Sequence, residues 1–162
     1  MAIHSKGVQR FRILSVIASA PIVTARVEIL GDGDDADSPE AAAAAAKVAA
    51  AFRALLALNL RLGLINRGAV EATWVPSPVG SDDSDGEGAL EPAELASLTP
   101  AALSYWVASF MAESSPMHQQ ALLQEDSTVA RLESLLEVLE GSVSFLRAKA
   151  AVDALKLGSS ES

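Results

Sequence analysis

The stretch GVQRFRILSVIASAPIVTARVEILG, residues 7–31, decides the fold class because it reads as β structure in a chain that otherwise reads as helix. In its second half, Ala25, Val27 and Ile29 alternate with polar or charged neighbours. This period of two is typical of a half-buried strand. A similar apolar run, residues 11–17, precedes the turn-like sequence ASAP at 18–21. We therefore predict two antiparallel strands joined as a β-hairpin.

Four helix starts follow the hairpin. Three of them pair a Ser or Thr with Pro, which supplies an N-cap and a favourable first helical residue. The signals predict a helix from Pro39 to about Ile65, closed by NRG at 66–68, and shorter helices from Pro100 and Pro116. Ser127 is predicted to cap a long helix that ends near Leu157.

The long helix has apolar residues at alternating steps of three and four from Val129 to Ala150. Such a seam packs on a partner helix or on a second apolar face. We expect the apolar residues of the helix at 100 to pack against this seam; these are Leu103, Trp106, Val107 and Phe110, facing Leu132, Leu136 and Leu139.

The predicted fold class is therefore α+β, mostly α. An N-terminal β-hairpin is followed by a helical bundle lobe with one long C-terminal helix. The predicted boundaries are a partial β lobe at 1–31, a connecting long helix at 32–74, an acidic loop rich in Pro, Gly and Ser at 75–98, a helical lobe at 99–157 and a disordered tail at 158–162.

The bulk composition excludes several classes of function. A net charge of -9 disfavours binding to nucleic acid or to anionic lipid. The absence of cysteine removes disulfides and thiolate metal sites. Lys47, Arg53 and Arg61 interrupt the longest apolar stretch, which argues against a transmembrane helix. No secretory signal is visible, so we expect a soluble, intracellular protein.

Catalytic patterns are also missing from the sequence. The two histidines, His4 and His118, have no acid partner by spacing, and no Gly-Lys pair exists to hold a phosphate. The acidic loop at 81–92 fits a calcium loop only in part, since Pro92 stands where a bidentate ligand is needed. We interpret the acidic residues at 32–37, and those at 133, 137 and 140, as solvated surface. No catalytic residue, cofactor or metal is predicted.

Three segments resemble the Lon N-terminal substrate-binding domain. The strand pair GVQRFRIL at 7–14 and TARVEIL at 24–30 is similar to that family's paired strands. Residues 103–111, LSYWVASFM, and 119–139, QQALLQEDSTVARLESLLEVL, resemble helices of its stand-alone forms in photosynthetic lineages. The segments occur in the family's order and cover about three-fifths of the chain.

The resemblance implies a PUA-like (pseudouridine-synthase-associated) β lobe followed by a helical lobe. The family's first strands should precede Gly7, so we expect a hairpin that lacks them, in a truncated product or with the strands supplied from elsewhere. The ATPase and Ser-Lys protease domains of full Lon proteases are expected to be absent. The implied compartment is the chloroplast or the cytoplasm.

The function implied is recognition of protein without catalysis. The partners would be unfolded protein segments, or a protease or chaperone, in protein quality control. The alternative is an assembly or scaffold subunit with one fixed partner. The seam of the long helix supports this alternative if that face is not buried within the chain itself. Self-association through the β edge is also expected. The candidate partner-binding residues are Phe11, Ile13, Val27, Trp106 and Phe110.

Overall fold

The computed structural model describes residues 10–66, 74–76, 90–93, 95–111 and 116–158. The described residues are mostly helical, with a two-stranded antiparallel hairpin followed by four helices, as predicted. In chain order the elements are β1 (Arg10–Ala18), β2 (Thr24–Leu30), α1 (Pro39–Arg61), β3 (Trp74–Pro76), β4 (Leu90–Pro92), a 3-10 turn (Leu95–Ser97), α2 (Pro100–Phe110), α3 (Pro116–Gln124) and α4 (Thr128–Gly158).

The predicted helix caps are confirmed at three helices. The hydroxyl of Ser38 accepts a hydrogen bond from the amide of Ala41 at 3.0 Å, at the start of α1. Thr99 does the same at α2, where its hydroxyl accepts from the amide of Ala102 at 3.3 Å. At α4, Ser127 accepts from the amide of Ala130 at 3.1 Å. These bonds satisfy amides that have no partner within their own helix.

The predicted end of α1 was wrong by four residues. The helix ends at Arg61, and Gly63 follows with a φ of 65°. Glycine adopts this left-handed conformation without a Cβ clash, and it allows the amide of Leu64 to reach back to the carbonyl of Asn59 at 2.9 Å. The glycine that terminates α1 is therefore Gly63, while the predicted Gly68 lies outside the described residues.

The core lies where α1 and α4 pack along each other and α2 packs against both. The seam of α4 is buried at Leu132, Leu139, Val143 and Leu146, which confirms that it packs on a partner helix. Leu135 is fully buried although the seam did not include it, while Leu136 is only partly buried. From the other elements, the core includes Val48, Phe52, Leu56, Leu95, Leu103, Val107 and Leu122.

Two aromatic residues of α2 depart from the expected core. Trp106 is partly buried, and its ring meets Phe52 of α1 edge-on, with centroids 5.4 Å apart. Phe110 is 53% exposed, so its predicted place in the core was wrong. Its ring contacts that of Trp106 instead, with centroids 4.4 Å apart and the ring planes tilted by 51°. α2 turns Leu103 and Val107 inward, and Phe110 lies at the rim of that face.

The segment predicted as an acidic loop contains structure at its ends. β3 and β4 pair antiparallel, with Trp74 opposite Pro92 and Pro76 opposite Leu90. Pro92 is buried, and so is Leu95 in the turn that follows. The centre of the predicted loop, residues 77–89, with its incomplete calcium pattern, lies outside the described residues.

Within the described residues, α1 alone is long and apolar enough to cross a membrane by length and composition. This is weak evidence, because the core helix of a soluble protein passes the same test. Val48, Phe52 and Leu56 of α1 are buried against the other helices. α1 therefore contributes one face to the core.

Candidate protein-binding surface

The hairpin separates apolar from charged side chains on its two faces. Phe11 stands opposite Ile29, and Ile13 stands opposite Val27. Residues that are directly opposite in an antiparallel pair share a face. We define the apolar hairpin face as Phe11, Ile13, Val16, Ala25, Val27 and Ile29. On the other face Arg12 stands opposite Glu28 and forms an ion pair with it at 3.0 Å.

The apolar hairpin face is uncovered by the described residues of the chain. Its five large side chains are between 40% and 59% exposed, the least exposed being Val27 and the most exposed Ile13 and Val16. An amphipathic hairpin normally places its apolar face on a core. A contiguous exposed apolar surface marks a site of interaction with another molecule.

The two strands have different edges. The pairing skips Leu14 and Ile17, so that β1 carries two bulges, whereas β2 runs without interruption from Thr24 to Leu30. Among the described residues this sheet contains only these two strands, which leaves both outer edges without a backbone partner. Bulges blunt an edge, and a regular edge invites pairing. β2 therefore presents the edge that is better suited to pairing.

A groove of about 680 Å³ lies between the hairpin and α3. The hairpin contributes residues 10–13 and Leu30, and α3 contributes Gln120, Leu123 and Gln124. Both glutamines are exposed, and their amide groups can donate and accept hydrogen bonds. The groove thus places apolar side chains beside groups able to bind a peptide backbone.

Arg10 fixes the base of the hairpin to the helices. Its guanidinium donates to the carbonyls of Leu123 at 3.0 Å and Glu125 at 3.1 Å, at the end of α3. It also donates to the carbonyl of Gly31, just after β2. The group lies 5.5 Å from the centre of the Tyr105 ring in α2. One side chain of β1 therefore contacts the hairpin exit, α2 and α3.

A second arginine, Arg131, completes this junction from the first turn of α4. It is 1% exposed. Its guanidinium donates to Asp32 at 3.2 Å, to Ser104 at 3.1 Å and to two carbonyls of the α3–α4 connection. The hydroxyl of Tyr105 donates to the same oxygen of Asp32 at 3.3 Å, and burial raises the pKa of Tyr105.

Asp35 caps α4 from a distant loop. Its carboxylate accepts from the Ser127 hydroxyl at 2.6 Å and from the amides of Thr128 and Val129 at 2.9 and 3.0 Å. The bond from Ser127, followed by those from the two amides, lowers the pKa of Asp35 to about 2. Each bond favours the ionised form, as does the positive end of the helix dipole.

Gly33 allows this loop to approach closely. Its amide donates to the carbonyl of Asp126 at 2.9 Å. A Cβ at this position would lie 2.5 Å from the same carbonyl oxygen. Residues 32–37 were interpreted as solvated acids, and this was wrong for Asp35, whose carboxylate caps α4. Asp32 is exposed as predicted, and it also accepts hydrogen bonds from Tyr105 of α2 and Arg131 of α4. Asp34 and Asp37 are exposed.

Other expectations concern chemistry at titratable groups. Glu133, Glu137 and Glu140 are exposed on α4, as predicted. His118 is partly buried, and its Nε2 has no hydrogen-bond partner among the described residues, so it is not the surface histidine expected. His4 lies outside the described residues. No group of three potential metal ligands occurs in the described ranges.

The five predicted partner-binding residues fall on two surfaces. Phe11, Ile13 and Val27 share the apolar hairpin face. Phe110 instead lines a shallow groove with Leu55 and Phe145 on the other helices, and the ring centroid of Trp106 lies 4.4 Å from that of Phe110. The groove residues of α3 were missed, since nothing in the local sequence shows that β1 passes Gln120 and Gln124.

Residues 1–141 match the family model of the substrate-binding domain of ATP-dependent protease La (LON). The chain belongs to this family. No curated protein and no solved structure matched it. The Lon substrate-binding domain is the non-catalytic, protein-binding component of those proteases. The three segments that resemble the family lie together in this fold. Arg10, in the strand-pair segment, lies beside Tyr105, in the segment at 103–111, and Tyr105 contacts Arg131, in the segment at 119–139.

Proposed function

We propose that this Lon substrate-binding domain is a non-catalytic recognition module that binds apolar segments of unfolded proteins in protein quality control. The observation that carries the proposal is the exposed apolar hairpin face, with five large side chains uncovered. The family supplies the class of ligand, which is protein. The chloroplast and the cytoplasm both suit such a module, and imaging of the tagged chain distinguishes them.

The chemistry of the surface favours an extended client segment. Apolar client side chains would pack on Phe11 and Ile13, where each large side chain that is buried gains roughly 1.5–3 kcal/mol. Client backbone groups would bond to Gln120 and Gln124 across the groove. This combination of side-chain packing and backbone hydrogen bonding recognises extended segments with apolar side chains, and it does not require one exact sequence. We therefore expect many client proteins, each bound with low affinity.

The test is a titration of fluorescein-labelled, denatured casein with the full chain, followed by anisotropy. Phe11→Ser and Ile13→Ser should each weaken binding about tenfold, the loss expected when about 1.4 kcal/mol of apolar contact is removed. Phe145→Ser is the matched control, because Phe145 is 68% exposed but lies on α4. Equal affinities for all four proteins would contradict the proposal. Loss of binding with Phe145→Ser alone would place the site at the groove beside Phe110.

The alternative of a scaffold with one fixed partner has less support in this fold. It depended on a free apolar seam along α4, and that seam is buried at Leu132, Leu139 and Val143 in a helix that packs on α1 and α2. A pull-down with the purified chain separates the two functions. Many substoichiometric proteins indicate a client-binding module, and a single stoichiometric protein indicates a scaffold.

In this role the domain needs no ATPase activity, no protease activity and no cofactor. Because the chain has a net charge of -9, nucleic acid and anionic membranes are not among its proposed partners. We also expect a second polypeptide to pair with the strand edges of the hairpin, because unpaired strand edges bind other strands through backbone hydrogen bonds.

A further inference from the structure

The edge of β2 has a self-complementary sequence. In TARVEIL, Arg26 and Glu28 flank Val27 symmetrically. If β2 pairs antiparallel with β2 of a second copy about a two-fold axis at Val27, Arg26 of each copy stands opposite Glu28 of the other. The same register places Ala25 opposite Ile29. Opposite charges and apolar pairs are the combinations that stabilise cross-strand positions.

The charges within the hairpin support the same register. Glu28 already pairs with Arg12 on its inner side at 3.0 Å. Arg26 is exposed, and its opposite residue in the hairpin is Ser15, which carries no charge. Among the described residues Arg26 has no acidic partner. Pairing of two copies would give it one and would place each Glu28 between two arginines.

The edge of β1 lacks this complementarity. Its two bulges interrupt a regular ladder, and the stretch before them carries like charges at Arg10 and Arg12. Arg10 is also held by the end of α3. A second copy therefore pairs with β2, while β1 keeps its side of the groove free.

We propose that two copies of this chain join through the edge of β2, antiparallel and centred on Val27, to form a four-stranded sheet. The interface is isologous, as in most homodimers. The two apolar hairpin faces become one continuous surface on the same side of the sheet. The inference rests on the proposed function only in requiring an exposed hairpin, since dimerisation and client binding are measured separately.

The first test is charge exchange, followed by sedimentation velocity of the full chain from about 1 to 100 μM, a range suited to a small interface. Arg26→Glu and Glu28→Arg should each weaken the homodimer about tenfold or more, because each creates two like-charge pairs. An equimolar mixture of the two variants should dimerise, because every pair across the axis is then opposite in charge. Circular dichroism confirms that each variant is folded.

The second test uses engineered cysteines, since the natural chain has none. Residues opposite each other in an antiparallel pair have Cα atoms about 4.5–5.5 Å apart, which suits a disulfide. Val27→Cys should therefore form a covalent dimer on mild oxidation. Ile13→Cys is the control, since it lies across the hairpin from Val27 but on β1.

Three results would overturn the inference. They are a monomer throughout the concentration range, a mixture of charge variants that stays monomeric, and faster cross-linking of Ile13→Cys than of Val27→Cys. The last result would place the contact on β1 or on the apolar face. If the client titration fails while the β2 dimer forms, the dimer stands and the proposed client binding does not.

Discussion

Arg131 is the residue on which the junction between hairpin, loop and helices depends. It lies in the first turn of α4, where a positive charge is disfavoured by the helix dipole. Asp32 and the surrounding oxygens offset that cost, because they accept from every nitrogen of its guanidinium. The planar fork of arginine suits this arrangement, and the point charge of lysine does not.

Replacing Arg131 should therefore destabilise the fold strongly. Arg131→Ala leaves Ser104 and two carbonyls without their donor, and we expect a loss on the order of 2–4 kcal/mol in the free energy of unfolding. This is below the range for a fully buried pair, because the side chain of Asp32 is 41% exposed. Urea unfolding measures the loss, and Arg147→Ala, an exposed arginine on the same helix, is the control. Similar small losses for both variants would contradict the assigned role.

Asp35 gives the stability of the fold a defined dependence on acid. Its folded pKa of about 2 lies below the ordinary value of 3.8, so the ionised carboxylate stabilises the folded state. That contribution is fully present above pH 3.8 and is lost as the pH falls towards 2. Asp35→Asn should lower the melting temperature at pH 7 and reduce its fall between these pH values. Asp34→Asn, in the same loop but exposed, should change neither, and an identical acid response in both variants would argue against the cap.

At the scale of elements, the sequence predicted what depends on local patterns. Alternation at 24–30 predicted β2, and the pairs Ser38-Pro39 and Thr99-Pro100 predicted two helix starts. The end of α1 was missed because its apolar pattern continues past Gly63 and does not show where the backbone turns. The junction was missed for a different reason. Asp32 and Arg131 are 99 positions apart, and no local pattern joins them.

The loop after β2 is an element whose shape depends on one glycine. Gly33→Ala should displace the loop, because the added Cβ would lie 2.5 Å from the carbonyl oxygen of Asp126. The hydrogen bond from the Gly33 amide and the Asp35 cap would both weaken. Gly31→Ala is a matched control, since nothing lies within 4 Å of its Cβ position. We expect a lower melting temperature for Gly33→Ala alone, and equal melting temperatures would show that the loop adapts at little cost.

At the scale of the whole molecule, the hairpin is attached to the helices through a few side chains around Arg10. Among the described residues, the hydrogen bonds and ion pairs from β1 and β2 to α3 and the α3–α4 connection all start at Arg10. The rest of the hairpin projects with its apolar face uncovered. The sequence selected Phe11, Ile13 and Val27, which share one hairpin face, and their role in partner binding stays a prediction. The attachment of the hairpin and its groove required the tertiary structure.

The orientation of the hairpin should then depend on Arg10. Arg10→Ala removes the donors to Leu123, Glu125 and Gly31 together, while the core side chains of α1 and α4 do not contact Arg10 through any of these bonds. Hydrogen exchange of the full chain should become faster in β1 and β2 and stay unchanged at Leu132 and Leu139.

Arg12→Ala is the control, because its only ion pair in the described residues is with Glu28 inside the hairpin. If Arg10→Ala leaves the exchange of both strands at the level of the Arg12→Ala control, the hairpin is held by its own ladder and the loop. If exchange rises in the helices as well, Arg10 supports the body rather than the hairpin alone. Only a rise confined to residues 10–30 fits a hairpin that a single arginine holds in place against α3, with its groove open to a client.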